Sequence, residues 1–230
     1  MQINKMKQTL FASILIFAFT LMAISAVQIY NGSERFWVRE SEEFYRLVNK
    51  QMQGIAFCYS GDSWTTSFAV SKDGWYMTAM HKVSRDIPEA DKIFVKLERK
   101  RDAKVFVAEK IILHEKLDLL LFKIDYEPKY YFKEFKDPYM FEENWALGYR
   151  GQSGKAVSSS GYATFDTRAP SLVRTTARLT YGSSGSPVIN RKGSVLGVAI
   201  LLATDSLDGL FIPGLEAEKF IKENLKKNGS

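Results

Sequence analysis

The sequence predicts an all-β domain, on two observations that hold from Gly54 onward. The first is a succession of short runs rich in β-branched and aromatic residues, separated by turn residues such as those at 61–62, 72–74 and 101–102. The second is the lack of any long segment with helical spacing between these runs, which favours an antiparallel sandwich or barrel. The strands predicted in the first half are 55–59, 67–70, 75–79, 93–98, 104–113 and 119–124.

Length and charge fit a single globular domain. The chain has 230 residues, of which 46% are hydrophobic and 25% are charged, and this suffices for one core of good size. The net charge of +6 at pH 7 is spread along the chain in small clusters. A solvated basic surface explains that charge better than a nucleic-acid interface does, so no nucleic-acid partner is expected.

Cysteine and histidine usage argues against thiol and metal chemistry. Cys58 is the single cysteine, so no internal disulfide can form. It lies in the apolar run 55–59, whereas a nucleophilic cysteine needs an electropositive, partly exposed setting, and a structural role is therefore predicted. The two histidines, His81 and His114, stand far apart in the sequence and match no metal-ligand spacing. No metal or other cofactor is expected.

The amino terminus, 1–28, is predicted to be a signal anchor or a signal peptide. Residues 10–27 are apolar and carry no charge, a length at the lower edge of the about 17–25 residues of a membrane-spanning helix. Small residues at 23 and 25, on either side of Ile24, also allow cleavage by a signal peptidase. Lys5 and Lys7 before the run favour a cytoplasmic amino terminus. The remainder is expected to be extracytoplasmic, membrane-anchored through this helix or secreted if the segment is cleaved.

Helical spacing occurs at both ends of the predicted β domain. Residues 29–51 are predicted to form an amphipathic linker helix without chemistry of its own, and 52–230 to form the domain that follows. Near its end, 215–225 repeats apolar residues at helical spacing and is expected to pack on the β structure. The apolar positions are Phe36, Val38, Phe44, Leu47 and Val48 in the linker, and Ala217, Phe220, Ile221 and Leu225 in the last helix.

The segment 182–188, Gly-Ser-Ser-Gly-Ser-Pro-Val, has the composition of a nucleophile loop. A serine hydroxyl attacks efficiently only when a base accepts its proton and N–H donors hold the oxyanion that forms. Glycines permit backbone angles that point consecutive N–H groups toward the serine side chain. Ser184 is the candidate nucleophile, and the N–H groups of Gly182 and Ser184 are the candidate oxyanion donors. A surface turn has the same composition and is the alternative.

A base and an acid precede this loop in the sequence. His81 follows a predicted strand, and Asp118 opens the apolar strand 119–124, where a buried carboxylate needs a partner such as an imidazole N–H. The order His81, Asp118, Ser184 is that of chymotrypsin-type barrels. Because no histidine follows Ser184, the order excludes the α/β-hydrolase arrangement, in which the histidine comes last.

These segments resemble the trypsin-like serine peptidases, and among them most of all the HtrA/DegP-type protease domain, with the glutamyl-endopeptidase group as a second relative. The passage 67–81 is similar to the family's D-G-x-x-x-T-x-x-H stretch, and 182–188 matches its loop G-N-S-G-[GS]-P-[LV]. The hairpin leading to Asp118 and the strands within 193–213 follow the family's pattern more loosely. The likeness covers roughly residues 50–225.

The resemblance implies two six-stranded antiparallel β-barrels with a C-terminal helix, and a serine endopeptidase that acts on protein or peptide substrates through an acyl-enzyme. In that scheme Ser184 attacks, His81 transfers the proton and Asp118 orients the imidazole. A strand formed by Val198, Ala199 and Ile200 is expected to pair with the substrate backbone. Arg178 is expected to reach the floor of the specificity pocket if it points inward, and to be simply exposed otherwise. A homo-oligomer is compatible with this resemblance.

The sequence differs from the family at several points. Residues 65–67 lack the usual Gly-Ser-Gly, and 126–143 is unusually aromatic and charged, so we expect different loops near the site. Ser183 replaces the aspartate that zymogen-type relatives use, which argues against activation by a newly cut amino terminus. The chain ends soon after Pro213, so no PDZ-like module is expected. The alternative functions are a catalytically silent protease fold that serves as a binding or scaffolding module, and an esterase with the same triad.

Overall fold

The computed structural model describes residues 41–82, 92–98, 102–149, 154–158, 160–165, 171–202 and 208–225. The predicted anchor or signal segment and the first part of the predicted linker helix lie outside these residues. The chain divides into two compact units, Met1–Arg46 and Leu47–Ser230. Residues 41–51 form helix α1, in which Arg46 and Glu42 form an ion pair of 3.5 Å. Among the described residues, no helix combines the length and the hydropathy that a membrane crossing requires.

The described residues of the unit Leu47–Ser230 form two seven-stranded antiparallel sheets and a closing helix. The first sheet comprises β1 (Ile55–Ser60), β2 (Ser63–Ala69), β3 (Trp75–Thr78), β4 (Phe94–Lys96), β5 (Val105–Val107), β6 (Lys110–Leu113) and β7 (Leu120–Lys123). The second comprises β8 (Glu143–Tyr149), β9 (Lys155–Val157), β10 (Gly161–Phe165), β11 (Val173–Thr175), β12 (Pro187–Asn190), β13 (Val195–Leu202) and β14 (Gly209–Pro213). Helix α2 (Gly214–Leu225) follows β14, and short 3₁₀ turns occupy Met52–Gly54 and Met80–Lys82.

Strand order explains why only one of the two predicted barrels is closed. The second sheet runs β10-β11-β14-β13-β12-β8-β9, and β10 also pairs with β8, which closes six strands and leaves β9 attached to β8. The first sheet runs β5-β4-β1-β2-β3-β7-β6 and forms a half-barrel. Its edge strands β5 and β6 are joined by Ala108 and Glu109, whose N–H groups donate to Ile93 and Lys123 instead of forming a ladder between the edges. The all-β fold and the C-terminal helix are confirmed.

Each sheet has its own apolar core because side chains alternate across it. In the first, Ala56 and Cys58 of β1 face Tyr76 of β3 and Phe122 of β7, and the Tyr76 and Phe122 rings stack with centroids 5.7 Å apart. Burial raises the pKa of the Cys58 thiol to about 12, which keeps it protonated and unreactive. The second core lies inside the barrel and contains Ala146, Ala163, Val173, Leu179, Val188, Leu196, Ala199 and Phe211.

The aromatic segment 126–143 joins the two sheets. Phe132 is 1% exposed, and its N–H donates to the Ala69 carbonyl at the end of β2. Farther along, Val195 of β13 donates to the Glu134 carbonyl, and Lys136 donates back to Val195. This part of the chain therefore serves as an extended connector that is hydrogen-bonded to both sheets.

The partly buried amine of Lys155 makes stability depend on pH. Burial lowers the pKa of Lys155 to about 8, and Glu98 opposes that shift. Its Nζ donates to the Met52 carbonyl at 3.0 Å. Since the unfolded lysine holds its proton up to about 10.5, the unfolded state binds more protons between pH 8 and 10.5. The contribution of Lys155 to stability therefore rises with pH in that window.

We predict that Lys155→Met, which cannot titrate, loses this contribution. The difference in free energy of unfolding between wild type and variant should change by up to about 3 kcal/mol between pH 8 and 10.5, in the direction that favours the wild type as pH rises. Urea unfolding at a series of pH values measures it. Lys110→Met, at an exposed position that starts β6, is the matched control. A difference for Lys155→Met that stays constant across the window would contradict the prediction.

Candidate active site

Two neighbouring strand ends bring His81 and Asp118 together. His81 lies in the 3₁₀ turn after β3, and Asp118 lies just before β7, which pairs with β3 through Thr78 and Leu120. One carboxylate oxygen of Asp118 accepts from His81 Nδ1, and the other accepts from the His81 backbone N–H at 2.7 Å. Because Nδ1 carries the proton in this pair, Nε2 is left as the acceptor of the imidazole. The side chains are 14% and 25% exposed, so the pair is partly sheltered and still accessible.

The loop that carries Ser184 lies against the end of β3. Gly185 has φ of +75°, and a Cβ at this position would lie 2.3 Å from Thr78 Oγ1 and 2.1 Å from the Thr66 carbonyl oxygen. Only glycine permits both this backbone angle and this close approach. The candidate nucleophile is thereby held beside the strand that leads to His81.

Two threonines of β2 hold the Ser184 loop in place through hydrogen bonds. The Ser184 carbonyl oxygen accepts from the Thr66 N–H at 3.0 Å and from the Thr65 hydroxyl. The Thr66 hydroxyl donates to the Gly182 carbonyl at 2.7 Å and accepts from the Tyr149 N–H at 2.9 Å. Both threonines are fully buried. Neither threonine is among the residues predicted for the site, although both lie in the segment 65–67, where the sequence lacks the Gly-Ser-Gly of the family pattern.

Gly182 lies directly under the ring of Trp64. Its φ is +91°, and a Cβ here would lie 2.1 Å from the Trp64 ring. Tyr181 meets the same ring edge-on, with centroids 4.9 Å apart. Within the described part of the chain, neither the Gly182 N–H nor the Ser184 N–H donates to a backbone carbonyl. The two candidate oxyanion donors are therefore not consumed by the internal hydrogen bonds of the loop.

The Ser184 hydroxyl is bound to β13 in this structure. Its Oγ donates to the Ile200 carbonyl at 3.1 Å, whereas the His81 ring pairs with Asp118. The structure thus joins two of the three predicted residues by a hydrogen bond and places the third in the adjacent loop. A serine side chain has three staggered rotamers, so that rotation about χ1 redirects Oγ without any change in the loop backbone.

The predicted substrate-binding strand, Val198 to Ile200, is already paired on both edges at its first two residues. Val198 lies opposite both Pro187 and Ile212, and Ala199 donates to Ser186 and accepts from Gly185. Both edges of the strand are therefore occupied at these residues, and a substrate backbone cannot pair with them. A register shift follows between Ala199 and Leu201, after which the described part of β13 pairs with β14 alone. Of the three predicted residues, Ile200 stands at this transition.

Arg178 is exposed, between the buried residues Ala177 and Leu179. The inward orientation that would make it the floor of a specificity pocket is not observed. Leu179 occupies the interior instead, since a Cβ on Gly209 would lie 2.3 Å from its side chain. As for metals, the described residues contain no group of three or more His, Cys, Asp or Glu side chains that could bind an ion.

We predict that Gly182→Ala destabilises the domain. The added methyl group must displace the Trp64 ring, and alanine is strained at a φ of +91°, so the free energy of unfolding should fall by about 1–3 kcal/mol. Gly154→Ala is the matched control, because nothing lies within 4 Å of a Cβ at that position. Equal melting temperatures for the two variants, measured by thermal unfolding, would refute the close contact with Trp64.

Comparison with known proteins links this geometry to one family. Residues 65–198 match the family described as "Trypsin-like peptidase domain". The chain is similar to the serine protease HTRA1 of Xenopus tropicalis, with 26% identity over 174 residues, which are 69% of this chain and 35% of the relative. It is also similar to a probable periplasmic serine endoprotease DegP-like of Rickettsia prowazekii, with 30% identity over 180 residues, 71% of this chain and 34% of the relative.

Solved structures agree on the fold. A serine endoprotease from Yersinia pestis superposes with a TM-score of 0.65 at 20% identity, over 78% of this chain and 65% of that one. The inactive form of a mutant protein from M. tuberculosis gives a TM-score of 0.63 at 19% identity, over 77% of this chain and 89% of that one. The chain spans about a third of the length of the curated relatives it matches.

Proposed function

Because the chain belongs to the family of trypsin-like peptidase domains, we propose that it is a serine endopeptidase in which Ser184 is the nucleophile, His81 the general base and Asp118 the orienting acid. The observation that carries this proposal is the pair of hydrogen bonds that Asp118 accepts from His81, one from Nδ1 and one from the backbone N–H. It leaves the second ring nitrogen of His81 as a base. Ser184 lies in the adjacent loop, where the N–H groups of Gly182 and Ser184 donate to no backbone carbonyl of the described residues, which supports their role as oxyanion donors. The curated relatives are serine proteases by name.

In the proposed mechanism, Ser184 Oγ turns from the Ile200 carbonyl to His81 Nε2 and attacks the scissile carbonyl carbon while His81 takes its proton. The oxyanion is held by the N–H groups of Gly182 and Ser184, where one such donor is typically worth about 3–4 kcal/mol. His81 then gives the proton to the leaving amine as the C–N bond breaks, and an acyl-enzyme remains on Ser184. Water, activated by His81, hydrolyses that ester.

The proposed substrate is an extended polypeptide that adds a strand beside β13. When Ser184 Oγ leaves Ile200, the Ile200 carbonyl becomes free to accept an N–H from the substrate backbone. Val198 and Ala199 are excluded from this role because both of their edges are paired. Main-chain bonds of this kind supply affinity without a strong sequence preference. The exposed position of Arg178 gives no support to an acidic specificity pocket.

We further propose that the enzyme acts on proteins outside the cytoplasm. The support is the apolar segment 10–27 preceded by Lys5 and Lys7, together with the periplasmic location in the names of the DegP-like relatives. Whether the segment is a membrane tether or a cleaved signal is decided by the size and amino-terminal sequence of the mature protein. Assembly into a homo-oligomer stays a prediction from the resemblance.

We predict that a fluorophosphonate probe labels the wild-type protein at Ser184. Such a probe requires a nucleophilic serine beside a base and an oxyanion site. Labelling should be lost in Ser184→Ala and retained in the matched control Ser183→Ala, whose hydroxyl is buried and accepts from the Thr180 N–H. No labelling of the wild type would favour the catalytically silent scaffold. Labelling with turnover of esters but not of a peptide or casein would favour the esterase.

We predict that Asp118→Asn lowers kcat by about 10⁴-fold with little change in KM, because the amide no longer fixes the tautomer in which His81 Nε2 is the base. Steady-state kinetics on a peptide substrate measures the effect. Asp73→Asn is the control, since it removes a carboxylate that bonds Lys123 at the other end of β7, at 2.9 Å. A loss in Asp118→Asn no larger than that of the control would exclude Asp118 from the triad.

A further inference from the structure

The structure assigns a role to the second histidine: we propose that His114 is a positioning residue that holds Asp118 in place through the turn 114–118. The kinetic consequence of this role rests on the proposed function, whereas the geometric part does not. His114 is not proposed as a fourth catalytic residue beside Asp118. It acts through the backbone of the residues between them.

The imidazole of His114 accepts hydrogen bonds from the backbone of the turn that follows it. Its Nδ1 accepts the backbone N–H of Lys116 at 3.1 Å and that of Leu117 at 3.0 Å. The His114 N–H donates to the Leu119 carbonyl at 3.0 Å, and the Leu119 N–H donates to the Leu117 carbonyl at 2.8 Å. One ring nitrogen thus accepts two backbone N–H groups of the turn. An Asn or Asp side chain has the same acceptor role in an Asx turn.

Asp118 is fixed from both sides as a result. On its C-terminal side, Leu119 and Leu120 are buried at the start of β7, and the Asp118 carbonyl accepts from the Met80 N–H at 3.3 Å. On its N-terminal side, Leu117 is held by His114 Nδ1. The orientation of the carboxylate that bonds His81 therefore depends on the acceptor at residue 114.

Packing from outside gives the turn little support. Glu115 and Lys116 are exposed, and the turn borders a cavity of about 700 Å³ that separates it from α2. The His114 ring reaches across to the helix and meets Phe220 edge-on, with ring centroids 4.8 Å apart. His114 therefore offers two separable interactions, an acceptor for the turn and a ring for the helix.

Two substitutions separate these interactions. His114→Asn keeps an acceptor at the start of the turn and loses the ring contact with Phe220. His114→Phe keeps the ring and loses the acceptor. We expect His114→Phe to lower kcat by about tenfold or more with KM within about twofold, since small displacements of a group that orients the base cost rate rather than binding. His114→Asn should stay within about threefold of wild type.

The opposite ranking, with His114→Asn impaired and His114→Phe normal, would show that the ring contact matters and would overturn the proposal, as would equal activity in wild type and both variants. Thermal unfolding of all three proteins accompanies the kinetics. If His114→Phe does not fold, His114→Asn decides alone, because a folded His114→Asn protein with a tenfold loss of kcat contradicts a role for the acceptor.

A second readout does not require activity. The chain has two histidines, so the ¹⁵N resonances of histidine-labelled protein are assigned by the variants themselves. In the full-length wild type we expect His114 as the Nε2–H tautomer and His81 as the Nδ1–H tautomer. His81 should keep that signature in His114→Asn and lose it in part, through tautomer mixing or exchange with water, in His114→Phe. An unchanged His81 in His114→Phe would overturn the proposal even if the protein cleaves nothing.

A wild-type protein that is not labelled by the fluorophosphonate probe and cleaves no peptide would instead contradict the proposed function. The spectroscopic test of His114 would still apply to that protein. The two failures are thus distinguishable in one set of proteins. Normal His81 resonances with an inactive wild type point to a silent fold with an intact turn. Altered His81 resonances in His114→Phe with an active wild type establish His114 as the positioning residue.

Discussion

The docking of the Ser184 loop on β2 is the contact on which the rest of the site depends. The Ser184 carbonyl accepts from the Thr65 hydroxyl and from the Thr66 N–H, and the Thr66 hydroxyl donates to the Gly182 carbonyl. These groups are buried, and an unpaired polar group in their place would cost about 1–3 kcal/mol. The bonds that join the second barrel to the first sheet therefore also fix the backbone of the loop. Cohesion between the halves and the geometry of the site have a common physical basis.

A second constraint comes from the pairing of β3 with β7. It sets the end of one strand beside the start of the other, so that His81 and Asp118 meet without any long-range loop closure of their own. Each half of the domain supplies what the other lacks, namely the imidazole–carboxylate pair on one side and the serine on the other. The bond of Ser184 Oγ to the Ile200 carbonyl gives the hydroxyl a hydrogen-bond partner on β13.

The parts of this arrangement that the sequence reveals are those that depend on local chemistry. The loop was recognisable because Gly182 and Gly185 need positive φ and allow close approach, and such residues cannot be exchanged for others. The acid was recognisable because a carboxylate at the start of an apolar strand demands a partner. Thr65 and Thr66 were missed, since β-branched hydroxyl residues in a strand are ordinary and their partners lie more than a hundred residues away.

The sequence by itself determined the all-β class, the C-terminal helix, the order of the three chemical groups and the composition of the loop. Only the tertiary structure decided that one barrel closes and the other stays open, that Val198 and Ala199 have no free edge, and that Arg178 faces outward. It also decided that the His114 ring accepts two backbone N–H groups of the turn before Asp118. The physical reason is that side-chain chemistry and backbone preference depend on each residue and its neighbours in the sequence. Which strand edge is free, and which donor meets which acceptor, depends on pairings between segments distant in the chain.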